Sequence, residues 1–249
     1  MRLAGRRAVV TGASSGIGRA IALAFAREGA SVLVNYHRND AGAQACVDEI
    51  VAAGGTATSF ASDISQTDAV RELIAVAADR LGGIDVWANI AGADILTGSA
   101  ATLSDEAKLE RLITVDLRGT MLCCWNAAPV MTDGGVIINL SWDLALSGMG
   151  GRNPEMFAAV KAGVSGFTRS LARSLAPRLR VNEIAPGWIE TAFAENDMAE
   201  DYRRGVIEQT PLARLGQPHD VAEAAVYLAS DAAAFVTGQT IKVNGGLSS

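Results

Sequence analysis

The sequence predicts an α/β domain built on a doubly wound parallel sheet. Short β-rich apolar runs alternate with segments of helical period along the whole chain. The runs Ala8-Val9-Val10 and Val136-Ile137-Ile138 are continuously apolar, as strands buried on both faces are. A glycine-rich turn follows the first strand and opens a helix.

The elements follow in order. A strand over 7–11 leads into the turn, and a helix over 17–28 stops at Gly29, where a left-handed residue ends a helix without strain. Strands over 31–36 and 56–61 flank a helix over 41–53. A helix over 66–81 precedes a strand over 84–89. A long helix over 105–128 leads to a strand over 135–140. Pro154 suits the first turn of a helix over 155–176. A strand over 180–184, a helix over 219–228 with Asp220 as cap, and a strand over 239–243 complete the pattern. No repeat, low-complexity tract or polar linker divides residues 1–249, so one domain is expected. The stretch near 190–216 breaks the alternation with short helical pieces and mixed charge, and reads as a flap-like insertion.

Composition narrows the function. The 249 residues are 49% apolar and 19% charged, which excludes a disordered chain. A net charge of −6 argues against nucleic acid as partner, because an acidic chain repels phosphate. The cysteines, Cys46, Cys123 and Cys124, are too few and badly spaced for a disulfide framework or zinc site, and fit reduced core thiols in a cytoplasmic protein. Residues 1–7 lead straight into a strand, so no signal peptide is expected, and no apolar stretch spans a bilayer. With two histidines and no suitable cluster, no metal site is expected.

The turn reads Thr11-Gly12-Ala13-Ser14-Ser15-Gly16-Ile17-Gly18. Glycines there let the backbone approach a pyrophosphate, and the helix N-terminus attracts the anion. This turn resembles the cofactor loop of the short-chain dehydrogenase/reductase family, and the likeness runs almost the whole chain. Asp63-Ile64 stands where the family contacts adenine. Asn89-Ile90-Ala91-Gly92 resembles the family's NNAG, with Ile90 for the second Asn. Pro186-Gly187 with Ile189 and Thr191 resembles the stretch at the nicotinamide end, and Gly238 to Gly246 resembles the C-terminal strand and tail. The nearest look is the β-ketoacyl carrier-protein reductase type. The resemblance implies a Rossmann-type fold, a small-molecule substrate, and a homotetramer paired through the helices over 105–128 and 155–176. It also implies a dinucleotide held by Gly12, Ser14, Ser15, Gly16, Ile17, Gly18, Asp63, Ile64, Asn89, Ala91, Gly92, Lys161, Pro186, Gly187, Ile189 and Thr191.

The second strand ends Asn35-Tyr36-His37-Arg38, with no carboxylate before Asp40 to accept from a ribose 2′-OH. Arg38 and His37 would welcome a 2′-phosphate, so NADP(H) is expected over NAD(H).

The catalytic positions depart from the family. Lys161 is present, but Phe157 stands where the family has its proton-donating Tyr. Trp142 stands in place of the catalytic Ser, with Ser141 one residue away. Asp116 replaces the Asn of the water relay. Phe has no proton to give, and loss of a positioned acid costs typically about 10²–10⁴-fold. Asp143, Asp116 and Asp94 lie in segments that approach the site, so Lys161 is expected to pair with Asp116 or Asp143. Two chemistries suit such a site: hydride addition to an imine or iminium carbon, or reduction with Asp143 as acid. The alternatives are a non-redox cyclase, lyase or isomerase, and a nucleotide-binding pseudoenzyme.

Overall fold

The computed structural model describes residues 1–248, excepting the side chain of Glu195. Its centre is a parallel sheet of seven strands: β1 Arg7–Val10, β2 Ser31–Tyr36, β3 Thr56–Ala61, β4 Val86–Asn89, β5 Val136–Leu140, β6 Arg180–Pro186 and β7 Thr240–Val243. They lie in the order β3-β2-β1-β4-β5-β6-β7. The order reverses between β1 and β4, and the crevice beyond the carboxyl ends there is where such sheets bind ligands.

Alternation along each strand assigns the two faces. Ala8 and Val10 of β1 point to one core, shared with helices α1 (Gly16–Arg27) and α2 (Asp40–Ala52). Val9 points to the other, with Leu33 of β2, Trp87 of β4 and helix α3 (Thr67–Leu81). A short helix α4 (Gly98–Ala101) precedes the long helical run over 105–127.

That run is not the single α-helix its period predicts. α5 (Asp105–Leu112) passes into a π-helical segment, Ile113–Gly119, before α6 (Thr120–Ala127). A π segment inserts a residue into the turn and re-aims side chains, often at functional sites. Here it carries Asp116 inward. Its last residue, Gly119, packs so closely on Ile64 that an added Cβ would lie 3.1 Å from that side chain.

α7 (Arg152–Leu175) lies against β6. The predicted flap contains α8 (Ala192–Asn196) and α9 (Glu200–Gln209), joined to the body by Ile189 pairing with Gly216. The Arg203 guanidinium and the Gln217 amide both donate to Glu190, fastening the flap at its base. α10 (Pro218–Ala229) carries Asp220 in a reciprocal cap with Gln217 and packs on α1. No helix among the described residues is long and apolar enough to cross a membrane.

Candidate active site

Thr11, at the end of β1, ties the glycine turn to β4. Its hydroxyl accepts from Ile90 N at 3.0 Å and Ala91 N at 3.1 Å. Gly12 has φ +65°, and a Cβ on it would lie 2.6 Å from Ala91 Cα. A Cβ on Gly18 would stand 2.3 Å from Gly12 O. Both positions therefore exclude a side chain. Ser15 begins α1 without a side-chain cap, so the first N–H groups of the helix keep their capacity for an anion.

The other cofactor positions converge on this turn, with exceptions. Ser14 O packs on the start of α2, where a Cβ at Gly42 would lie 2.5 Å away, and Ile17 packs on the core beneath. The Thr191 methyl stands 3.7 Å from the place of a Cβ on Gly16, which joins the Pro186–Thr191 stretch to the turn. Ile189 is buried, locked by its pairing with Gly216. His37 Nε2 lies 3.7 Å from Asp63 Oδ2, and Arg38 is exposed beside them. Burial would raise the Asp63 carboxyl, but hydrogen bonds from Ser65 and the His37 and Arg38 charges hold it below its ordinary value.

Asn89 ends β4. Its side chain is buried and spent on structure: Oδ1 accepts from Trp87 Nε1 at 2.7 Å, and Nδ2 donates to Asn139 Oδ1 at 2.8 Å and toward Cys124 Sγ at 3.2 Å. Ile64 likewise packs as a buried side chain under Gly119.

At the catalytic positions the structure chooses Asp116 as the partner of Lys161. Lys161 Nζ lies 2.9 Å from Asp116 Oδ2, with the side chains 6% and 1% exposed. Nζ also donates to Leu140 O at 3.1 Å, and Ala93 N donates to Asp116 Oδ1 at 2.7 Å. Nζ stands 5.4 Å from the centre of the Phe157 ring, which meets the Trp142 ring edge to face at 5.3 Å. Asp116, Lys161, Phe157 and Trp142 thus form one continuous chain of contacts, with Gly92 against Asp116 Oδ2.

Two other candidates point elsewhere. The Ser141 hydroxyl donates to Glu183 Oε1 at 2.6 Å, because alternation past β5 turns it away from Trp142. Ser165 and Thr240 donate to the same oxygen at 2.8 and 3.2 Å. Sequence reading missed Glu183; the signal was a carboxylate in the middle of a predicted strand, between Val181 and Ile184. Asp143 is buried, but its Oδ2 accepts from Asn244 Nδ2 at 3.1 Å and Ser248 Oγ at 3.0 Å. It therefore faces the C-terminal tail and is not the partner of Lys161. Asp94 accepts from the backbone of Leu96 and Thr97 in its own loop, and Arg152 pairs with Asp105 and Glu155.

A cavity of about 370 Å³ opens under the flap, lined by Leu144, Met149, Trp188, Tyr202, Val206 and Leu247, with Asp201 at its edge. Tyr202 is one of its walls and meets the Trp188 ring at 81°.

Comparison with known proteins agrees with this frame. The family described as "Enoyl-(Acyl carrier protein) reductase" matches residues 12–248. A short chain dehydrogenase from Burkholderia cenocepacia J2315, solved in complex with NADP, superposes with a TM-score of 0.90 at 31% identity, covering 99% of each chain. The chain belongs to the short-chain dehydrogenase/reductase family. Among its relatives in that family, a 3-oxoacyl-[acyl-carrier-protein] reductase from Synechocystis sp. is 42% identical over 96% of both proteins. The 3-oxoacyl-[acyl-carrier-protein] reductase FabG of Staphylococcus epidermidis is 38% identical over 97% of this chain and 98% of its own. The chain is thus an oxidoreductase of short-chain dehydrogenase/reductase type, with a fold and turn built for a nicotinamide dinucleotide.

Proposed function

We propose that this short-chain oxidoreductase uses NADP(H) to reduce a carbon–nitrogen double bond, as an imine or iminium ion, rather than a ketone. One observation carries the reading: Lys161 is ion-paired with Asp116 beneath Phe157, and Ser141 is turned onto Glu183.

A dinucleotide fits the uncapped start of α1, the side-chain-excluding glycines and Thr191 beside Gly16. Gly12, Ser15, Gly16 and Gly18 would hold its pyrophosphate, and Pro186, Gly187 and Thr191 its nicotinamide end. The exposed Arg38 and His37 supply charge for a 2′-phosphate, and β2 ends without an acid that would repel one. The nicotinamide supplies, when bound, the hydride that turns an iminium carbon into a neutral amine, a change needing no proton on oxygen.

The residues of the chain suit that change. In a ketone reductase a lysine serves a neighbouring hydroxyl acid; here Asp116 cancels the Lys161 charge, and Phe157 offers a ring face. The paired Lys161 no longer repels a cation as a free ammonium would. The Phe157 and Trp142 rings offer it negative π-faces and keep water from the reacting carbon.

The free, buried cysteines fit a reducing cytoplasm. Leu109, Ile113 and Trp125 are exposed along the α5–α6 run, which supports a homotetramer paired through these helices. The test is loss of NADPH absorbance with a cyclic iminium ion and, separately, a ketone of matched shape. Turnover of the iminium alone supports the reading. Turnover of the ketone at equal or greater efficiency overturns it.

A further inference from the structure

We propose that the C-terminal tail is a wall of the cavity under the flap, and that Asp143 is the latch holding it there. Treating that cavity as the substrate's place rests on the redox reading above; the latch itself does not.

Three observations converge. Asp143 is 3% exposed, and its Oδ2 accepts from both Asn244 Nδ2 and Ser248 Oγ. Asn244 closes the tail on itself: its Nδ2 also donates to Ser248 O at 2.9 Å, and its Oδ1 accepts from Gly246 N at 3.1 Å. The residues next to the latch on either side, Leu144 and Leu247, both line the cavity with Trp188 and Tyr202. The fastening of the tail and the shape of the cavity therefore share one set of residues.

The physics favours a built contact over a chance one. A buried carboxyl needs donors; the tail supplies the two that reach Oδ2, and Oδ1 has none among the described residues. The tail turns through Gly245 and Gly246, with φ +62° and +87°, conformations that disfavour any side chain. Gly187, in the stretch expected at the nicotinamide end, leaves no room for a Cβ, which would lie 2.8 Å from Asn244 Cβ and 3.4 Å from Asp143 Oδ2. Asp143 thus acts as a positioning residue for the tail, and Leu247 sets how large a group the cavity admits.

Hydrogen–deuterium exchange on the full chain tests the latch without any substrate. Asp143→Ala should speed exchange at the Gly246 and Leu247 amides about tenfold or more, since hydrogen bonds to a carboxylate are the strong class. Asn244→Ala should do the same from the other side. The double variant should add little, as partners in one contact are not additive. Asp143→Asn, which keeps an acceptor oxygen, should restore part of the protection.

The wall is read from acrylamide quenching of Trp188, taken as the difference from Trp188→Phe. Quenching should rise in Asp143→Ala and in Leu247→Ala. With iminium probes, Leu247→Ala should lower KM for a bulky one relative to a small one. Unchanged amide protection in Asp143→Ala and Asn244→Ala overturns the latch. Lost protection with unchanged Trp188 quenching overturns the wall. Absence of iminium turnover counts against the redox reading and leaves both of these readouts intact.

Discussion

Lys161 Nζ stands 2.9 Å from Asp116 Oδ2, with both side chains out of reach of solvent. Removing either partner strands the other as a buried charge, which costs about 3–5 kcal/mol. Lys161→Met and Asp116→Leu should each lower stability by that amount. The double variant should recover most of the loss. Urea denaturation midpoints of the single and double variants measure this.

The same pair governs what a restored hydroxyl can do. Phe157→Tyr by itself should gain little ketone reduction, because Lys161 remains bound to Asp116 and Trp142 still fills the serine position. Combined with Asp116→Asn and Trp142→Ser, it should raise ketone turnover by about 10²–10⁴-fold, the usual effect of a positioned acid. NADPH-linked assays on a single ketone compare the two variants.

Arg38 is expected to meet a 2′-phosphate. Arg38→Ala should weaken NADPH by about tenfold to a hundredfold, as for other hydrogen bonds to charged groups, and leave NADH unchanged. Titration calorimetry with each dinucleotide separates the outcomes.

Asp85, just before β4, sets an acid-side limit on stability. Burial would raise its carboxyl, but hydrogen bonds from Arg7 and the Arg7 charge outweigh this and hold it below the ordinary range. A group whose folded pKa is depressed stabilises above its unfolded value, about 4 for Asp, and loses that contribution as pH falls through the folded value. Asp85→Asn should therefore be less stable than the parent at neutral pH, with a smaller further loss on acidification. Denaturation midpoints across that range give the slope.

Trp125 is 54% exposed on α6 and touches Phe167 edge to face. Trp125→Glu should shift the protein to a smaller assembly in light scattering, with NADPH affinity unchanged.

Much of the frame was legible before any coordinates. β2 and β3 fall where β-rich composition puts them, and the glycine turn marks the crevice by its place after a strand. The partner of Lys161 was not legible, because two carboxylates lay in reach and only backbone direction separates them. The π segment turns Asp116 inward, while the chain after β5 carries Asp143 toward the tail; neither leaves a mark in hydrophobic period. The packing of the Asn89 side chain was not legible for another reason. Its motif survives, but its side chain serves a buried polar network with Trp87 and Asn139.

Glu183 draws its donors from three elements: Ser141 after β5, Ser165 on α7 and Thr240 on β7. During synthesis Thr240 leaves the ribosome last. A nascent chain ending before it holds the acid with an incomplete set of donors and an open sheet edge at β6. The last donor to Glu183 Oε1 therefore arrives together with the edge strand that carries it. Chains stalled short of it carry the unpaired edge that invites misassembly.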